Sequence, residues 1–152
     1  MYRLIMAIGV VAVSCVAIGC GSSGDAATSA PLTKAQFIKR AGAICGRFQK
    51  ERQADAARWL QEQAGGQTRA ESHYDEGFKL IVAPSMRREA EELETLIAPG
   101  KDAVRLDRMV DNFVQASDAV ADRGRQGLLA AGLKDFEREA EALRLPACAD
   151  PM

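Results

Sequence analysis

One histidine serves all 152 residues, so every catalytic arrangement that needs an imidazole converges on a single position. His73 stands in the run Glu71-Ser72-His73-Tyr74-Asp75-Glu76. In a helix His73 and Glu76 share a face, and Glu71 or Asp75 could add a ligand to a metal site there. A ferritin-like di-iron centre, however, needs Glu-x-x-His on two helices, and the second histidine does not exist. Haem ligation by His73 with Met86 or Met109 lacks Cys-x-x-Cys-His, and Met86 falls on an apolar stripe where packing accounts for it. Nucleophile motifs of the Gly-x-Ser-x-Gly type are missing, and Gly65-Gly66-Gln67-Thr68 lacks the lysine and the strand of a phosphate loop. The residues predict a protein that is not an enzyme and carries no metal or cofactor. A metal- or haem-binding protein is the third reading in order, and His73 is expected as a solvent-facing helix residue.

The thiols are the other reactive set: Cys15, Cys20, Cys45 and Cys148. The first two sit in or beside an apolar leader. From Leu4 to Ile18 only Ser14 is polar, and Arg3 supplies a small positive start. A helix of that length covers roughly 22 Å, short of a ~30 Å hydrocarbon core, so the run reads as a secretory signal. It ends in Val16-Ala17-Ile18-Gly19-Cys20, which resembles the bacterial lipobox. That resemblance implies a diacylglycerol thioether on Cys20 and cleavage just before it. Ala17 stands where leucine is commonest, and Cys15, preceded by Val13-Ser14, offers a competing site. Acyl chains such as palmitate each contribute ~0.8 kcal/mol per buried CH₂, so two or three hold a protein firmly to a membrane. The expected location is therefore the extracytoplasmic face of the cell membrane, reached through a lipid anchor. With Cys15 discarded and Cys20 lipidated, Cys45 and Cys148 remain, and in an oxidising compartment two thiols most simply pair. A reactive thiol pair is the alternative, without Cys-x-x-Cys spacing or a neighbouring histidine to support it.

The elements that must position these groups are helical. Net charge is −1 with signs interspersed and aromatic residues make up 5%, which gives nucleic acid neither an electrostatic footprint nor a stacking platform. Residues 1–19 form the signal peptide, 20–31 a lipidated flexible tether, and 32–152 one helical domain. The tether Gly21 to Pro31 is small and polar, reaching ~18 Å on average and at most ~36 Å. Thr33-Lys34-Ala35-Gln36 is a capping box flanked by Leu32 and Phe37, and it opens a helix over about 33–64. Thr68-Arg69-Ala70-Glu71 opens a second over about 69–97, whose stripe Phe78, Val82, Met86, Ala90, Leu93 keeps phase through Pro84 and so predicts a kinked continuous helix. Arg87-Arg88 with Glu91-Glu92 form its solvated face. Helices over about 103–131 and 133–144 follow, with Gly132 as a C-cap and Pro146 as the final stop. One apolar face per helix and short connections predict an all-α, antiparallel four-helix bundle.

A second resemblance rests on the two ends of the domain. Leu32-Thr33-Lys34-Ala35-Gln36-Phe37, Ala41-Gly42-Ala43-Ile44-Cys45 and Leu143-Arg144-Leu145-Pro146-Ala147-Cys148 resemble a group of small helical actinobacterial lipoproteins. Their common patterns are (T/S)KAxFI…ADAIC and LGLxxC. This chain departs at Gly42, where aspartate is common, and at Arg144-Leu145-Pro146, where glycine is usual. The resemblance implies fold, disulfide and envelope location, and transfers no catalytic residue. The expected function is a membrane-anchored, non-catalytic binding domain for an envelope protein or cell-wall component. The alternative is a carrier holding an apolar small molecule in a groove lined by Phe37, Phe48, Phe78, Met86 and Phe113.

Overall fold

The computed structural model describes residues 31–63, 71–129 and 131–150. The leader with Cys15 and Cys20, most of the tether, the Gly65-Gly66 stop and the Thr68 capping box lie outside the described residues. Among the described residues all regular structure is helical. Helix α1 spans Lys34–Gln63. Next, α2 (Glu71–Gly77), a π-helical segment (Phe78–Val82) and α3 (Ala83–Glu94) run on without a break as one rod. Helix α4 (Asp102–Arg123), a 3₁₀ stretch (Gly124–Leu129), α5 (Ala131–Leu143) and α6 (Pro146–Ala149) complete the order. No described helix is long and apolar enough to cross a membrane.

The α1 start follows from its side chains. The Thr33 N–H donates to Gln36 Oε1 at 3.0 Å and the Gln36 N–H donates to Thr33 Oγ1 at 3.3 Å, the reciprocal pair that satisfies two orphan donors. The Leu32 N–H reaches the Ile97 carbonyl, 3.1 Å away, fastening this end of α1 to the α3–α4 turn. From there α1 runs ~45 Å.

Pro84 has no N–H and its ring crowds the carbonyl a turn earlier. The rod absorbs this by widening over Phe78–Val82, where the Ala83 N–H bonds back to the Phe78 carbonyl. The apolar phase survives: Val82, Met86, Ala90 and Leu93 are all buried. Two charges of the solvated face of this rod pair across to neighbouring helices. Arg87 reaches Asp118 on α4 and Glu92 receives Arg47 from α1, because neighbouring helices offer opposite charges within reach.

Two later boundaries also differ from expectation. α4 stops at Arg123, short of residue 131, because Gly124 takes φ 59°. A Cβ at Gly124 would lie 2.8 Å from the Asp75 Cβ, so α2 closes directly onto this turn. Asp75 also accepts the Arg125 N–H at 3.1 Å. Gly132 does not cap a helix end; it lies in the first turn of α5, where a Cβ would come 2.7 Å from the Asn112 carbonyl oxygen of α4. Pro146 does not end α5 but begins α6. α5 ends instead at Arg144, a non-glycine residue with φ 63°. The Leu145 N–H bonds the Ala140 carbonyl and the Arg144 N–H bonds the Glu141 carbonyl, both at 2.9 Å, and Leu145 and Ala140 are fully buried. That is a complete Schellman turn.

α4 is the central element, packed between α3 and α5 and touching the π segment and the 3₁₀ stretch. Phe113 of α4 stacks on Phe136 of α5, ring centroids 4.1 Å apart. α1 packs mainly on α3, the π segment and α6. Cys45 of α1 and Cys148 of α6 are joined, their Cα atoms 5.1 Å apart across a sequence separation of 103. A loop that long removes ~4.7 kcal/mol of unfolded-chain entropy on the chain-entropy estimate. Reduction and alkylation should therefore lower the unfolding free energy by about 2–4 kcal/mol, read from urea midpoints at constant m; an unchanged midpoint would show that the bond contributes nothing. The left-handed backbone at Arg144 makes a second expectation. Arg144→Gly should raise stability by about 1 kcal/mol, whereas Arg144→Ala should leave it nearly level.

Candidate functional site

Climbing α1 from the disulfide, the interior changes character. Phe48 belongs to the sealed core, and one turn later Arg52 is buried against Glu89 of α3. Arg52 Nη1 donates to Glu89 Oε2 at 2.5 Å, and the two side chains are 5% and 0% exposed. Ser85, one turn from Glu89 on the same face, is also buried. Ser85 Oγ and Glu89 Oε1 have no hydrogen-bond partner among the described residues. Burial pushes the Glu89 carboxyl from 4.5 up to about 7, against the opposing pull of the Arg52 guanidinium and, further off, Arg47. The charged layer was legible only in part. Glu89 falls on the stripe Val82, Met86, Leu93 at heptad steps, where a carboxylate is out of place unless something meets it.

Above this layer the domain opens. Ala56, Trp59 and Leu60 of α1 face Tyr74 and Gly77 of α2 and Phe78, Ile81 and Val82 of the π segment across a cavity of ≈ 230 Å³. Its lining is almost wholly apolar. Two local features create the space. Gly77 is buried, and a Cβ there would sit 2.9 Å from Trp59 Nε1, so the indole lies directly on bare backbone. Glycine inside a helix costs ~1 kcal/mol relative to alanine, and here it makes room for a ring. The π segment then places Phe78, Ile81 and Val82 around the same space. π-Bulges recur at functional sites because they re-aim side chains within an otherwise regular helix.

The expected groove lies elsewhere and is filled. Phe37, Met86 and Phe113 are 0% exposed and Phe48 is 5% exposed, all within the core. Periodicity identified the inward face correctly, but close packing leaves no volume there. Phe78 alone of that set lines the cavity. Trp59 is half-buried and forms the cavity wall. His73 lies in α2, and its side chain and that of Glu71 fall outside the described residues. Its neighbour Asp75 is engaged by the 3₁₀ turn. Among the described residues no group of three or more His, Cys, Asp or Glu is placed to hold a metal.

Fold and site together define a disulfide-closed helical domain with an apolar pocket at one end. Compared with protein-family models, curated proteins and solved structures, the chain matches none.

The raised Glu89 carboxyl links stability to pH. The folded protein holds this proton at pH values where the unfolded chain has released it. The stabilisation is fully present below about 4.5 and is lost as pH rises through about 7. Unfolding free energy should fall by on the order of 3 kcal/mol from pH 4.5 to 8 through this group. Glu89→Gln should flatten that slope; an equally steep slope in the variant would assign it to other groups.

Proposed function

We propose that this chain is a lipid-anchored protein of the extracytoplasmic cell envelope, whose helical domain binds and does not catalyse. The observation that carries the reading is the Cys45–Cys148 bond, which joins the first helix to the last. Structural disulfides persist in oxidising compartments, the address that the lipobox-like Cys20 also implies. In this reading the helical arms form an antiparallel four-helix bundle with α6 as its clasp. The likeness to the small helical actinobacterial lipoproteins rests on the patterns at the two ends of the domain, and Arg144 is one of the places where this chain departs from them. Its left-handed φ of 63° falls at the position where that group usually carries glycine.

The tether leads into α1 at Lys34, and Trp59 lies 25 residues further along the same helix, ~37 Å away. The pocket lies toward the end of α1 opposite the tether, which supports a reading in which it meets an envelope protein or cell-wall component. The Trp59 pocket also favours a second reading, a carrier of an apolar small molecule, with the site moved from the sealed core to the far end of α1.

Membrane fractionation tests the anchor. Cys20→Ala should move the protein from the membrane to the soluble fraction, and globomycin should accumulate the uncleaved precursor of the natural chain. Unchanged detergent partitioning of the Cys20→Ala chain would falsify the lipoprotein assignment.

A further inference from the structure

Beside the apolar pocket lies a second chamber of ≈ 300 Å³, lined on one side by Asp55, Arg58 and Glu62 of α1 and on the other by Arg88 of α3. The two spaces share Trp59 and Ile81 as a common wall, so one molecule can lie across both with unlike ends. The first space offers apolar surface alone, and the second offers charge.

The chamber as a whole is lined by two cations and two carboxylates, so the place for an anion is set by where each of them lies. Arg58 is flanked on its own helix by Asp55 and Glu62, three residues before and four after, both within helical reach. Its guanidinium is 3.2 Å from Asp55. Arg88 enters from the opposite wall and makes no ion pair among the described residues; its guanidinium rests 5.8 Å from the centre of the Phe48 ring. A cation held by a ring face keeps its planar donor fork available, and that fork matches a carboxylate. The apolar space, smaller than the about 300 Å³ at which drug-sized pockets begin, fits a short chain and not a folded lipid.

We propose that this end of the domain binds a single-chain amphiphile with a carboxylate head, its tail in the pocket between Trp59 and Phe78 and its head on Arg88. The site rests on the carrier reading and gives it a ligand class. Gly77 admits the indole, the π segment shapes the tail pocket, and Arg88 selects the head.

Trp59 is the one tryptophan in the chain, so its emission reports on this site alone. The full chain carrying Cys20→Ala, freed of detergent, is titrated with octanoate, octylammonium and octanol, following emission and heat. Octanoate should saturate with a shift to shorter wavelength and bind at least about tenfold more tightly than octylammonium. Arg88→Gln should weaken octanoate about fivefold, the factor for a charge-assisted contact at an exposed rim, and leave octanol unchanged. Gly77→Leu and Ala56→Leu fill the pocket from opposite walls, and either, with native helical circular dichroism, should abolish the response. Octylammonium binding as tightly as octanoate, or an Arg88→Gln chain with unaltered octanoate affinity, overturns the head-group assignment and leaves the carrier reading standing. An octanoate response that persists in both filled variants overturns the site. Neither heat nor emission change with any of the three overturns the carrier reading as well.

Discussion

The domain depends on how its last turn is brought back to its first helix. α1 packs along one side of the rod, while α4 and α5 build the core on the other. The Schellman turn at Arg144 redirects the chain, buries Leu145 and delivers Cys148 to Cys45. Magnitudes show why this matters more than the charges that also hold α1. Lys34–Asp102 and Arg47–Glu92 are partly exposed pairs, each contributing at most ~1 kcal/mol. The covalent closure contributes several times that, in a domain whose net stability is about 5–15 kcal/mol. The backbone accepts a left-handed arginine to make the closure possible.

Along α1 the structure grades from sealed to open. Around Cys45 and Phe48 the side chains are buried and apolar; at Arg52 the interior becomes ionic; beyond Ala56 it contains space. A buried ion pair is weak evidence for stability, because desolvating two charges offsets most of their attraction. Its value here is register. Sliding α1 by one turn along α3 would separate Arg52 from Glu89 and leave the buried Glu89 carboxyl without its guanidinium. The ionic layer therefore fixes the height at which Trp59 meets Gly77, and with it the shape of the pocket.

Features that depend on neighbours in sequence were legible from the sequence. The Thr33–Gln36 capping box, the phase carried through Pro84 and the inward faces of the helices all follow from local spacing. Features that depend on a neighbour in space were not. Gly124 ends α4 because Asp75 stands against it; a small residue at that position signals a close approach but does not say which residue approaches. Arg144 disguised a turn that glycine would have advertised. The aromatic residues Phe37, Phe48 and Phe113 were placed on the correct face, yet a periodic stripe carries no information about leftover volume. The cavity arises where a side chain is missing, at Gly77, and where a helix widens, and neither is apolar periodicity.

The path of α1 has a mechanical consequence. If the chain is anchored at Cys20 and holds a cargo or partner at Trp59, as proposed, tension between them would enter at Leu32 and leave near the other end of the same helix. The load runs along one helical strut and does not peel α3, α4 or α5 from one another. The Leu32–Ile97 hydrogen bond and the disulfide at Cys45 fasten the strut to the rest near its base. Beyond the buried Arg52–Glu89 pair, α1 meets the rest of the domain at the pocket, so a pull on the far end of the strut would reach the gap at Trp59 before it reached the core.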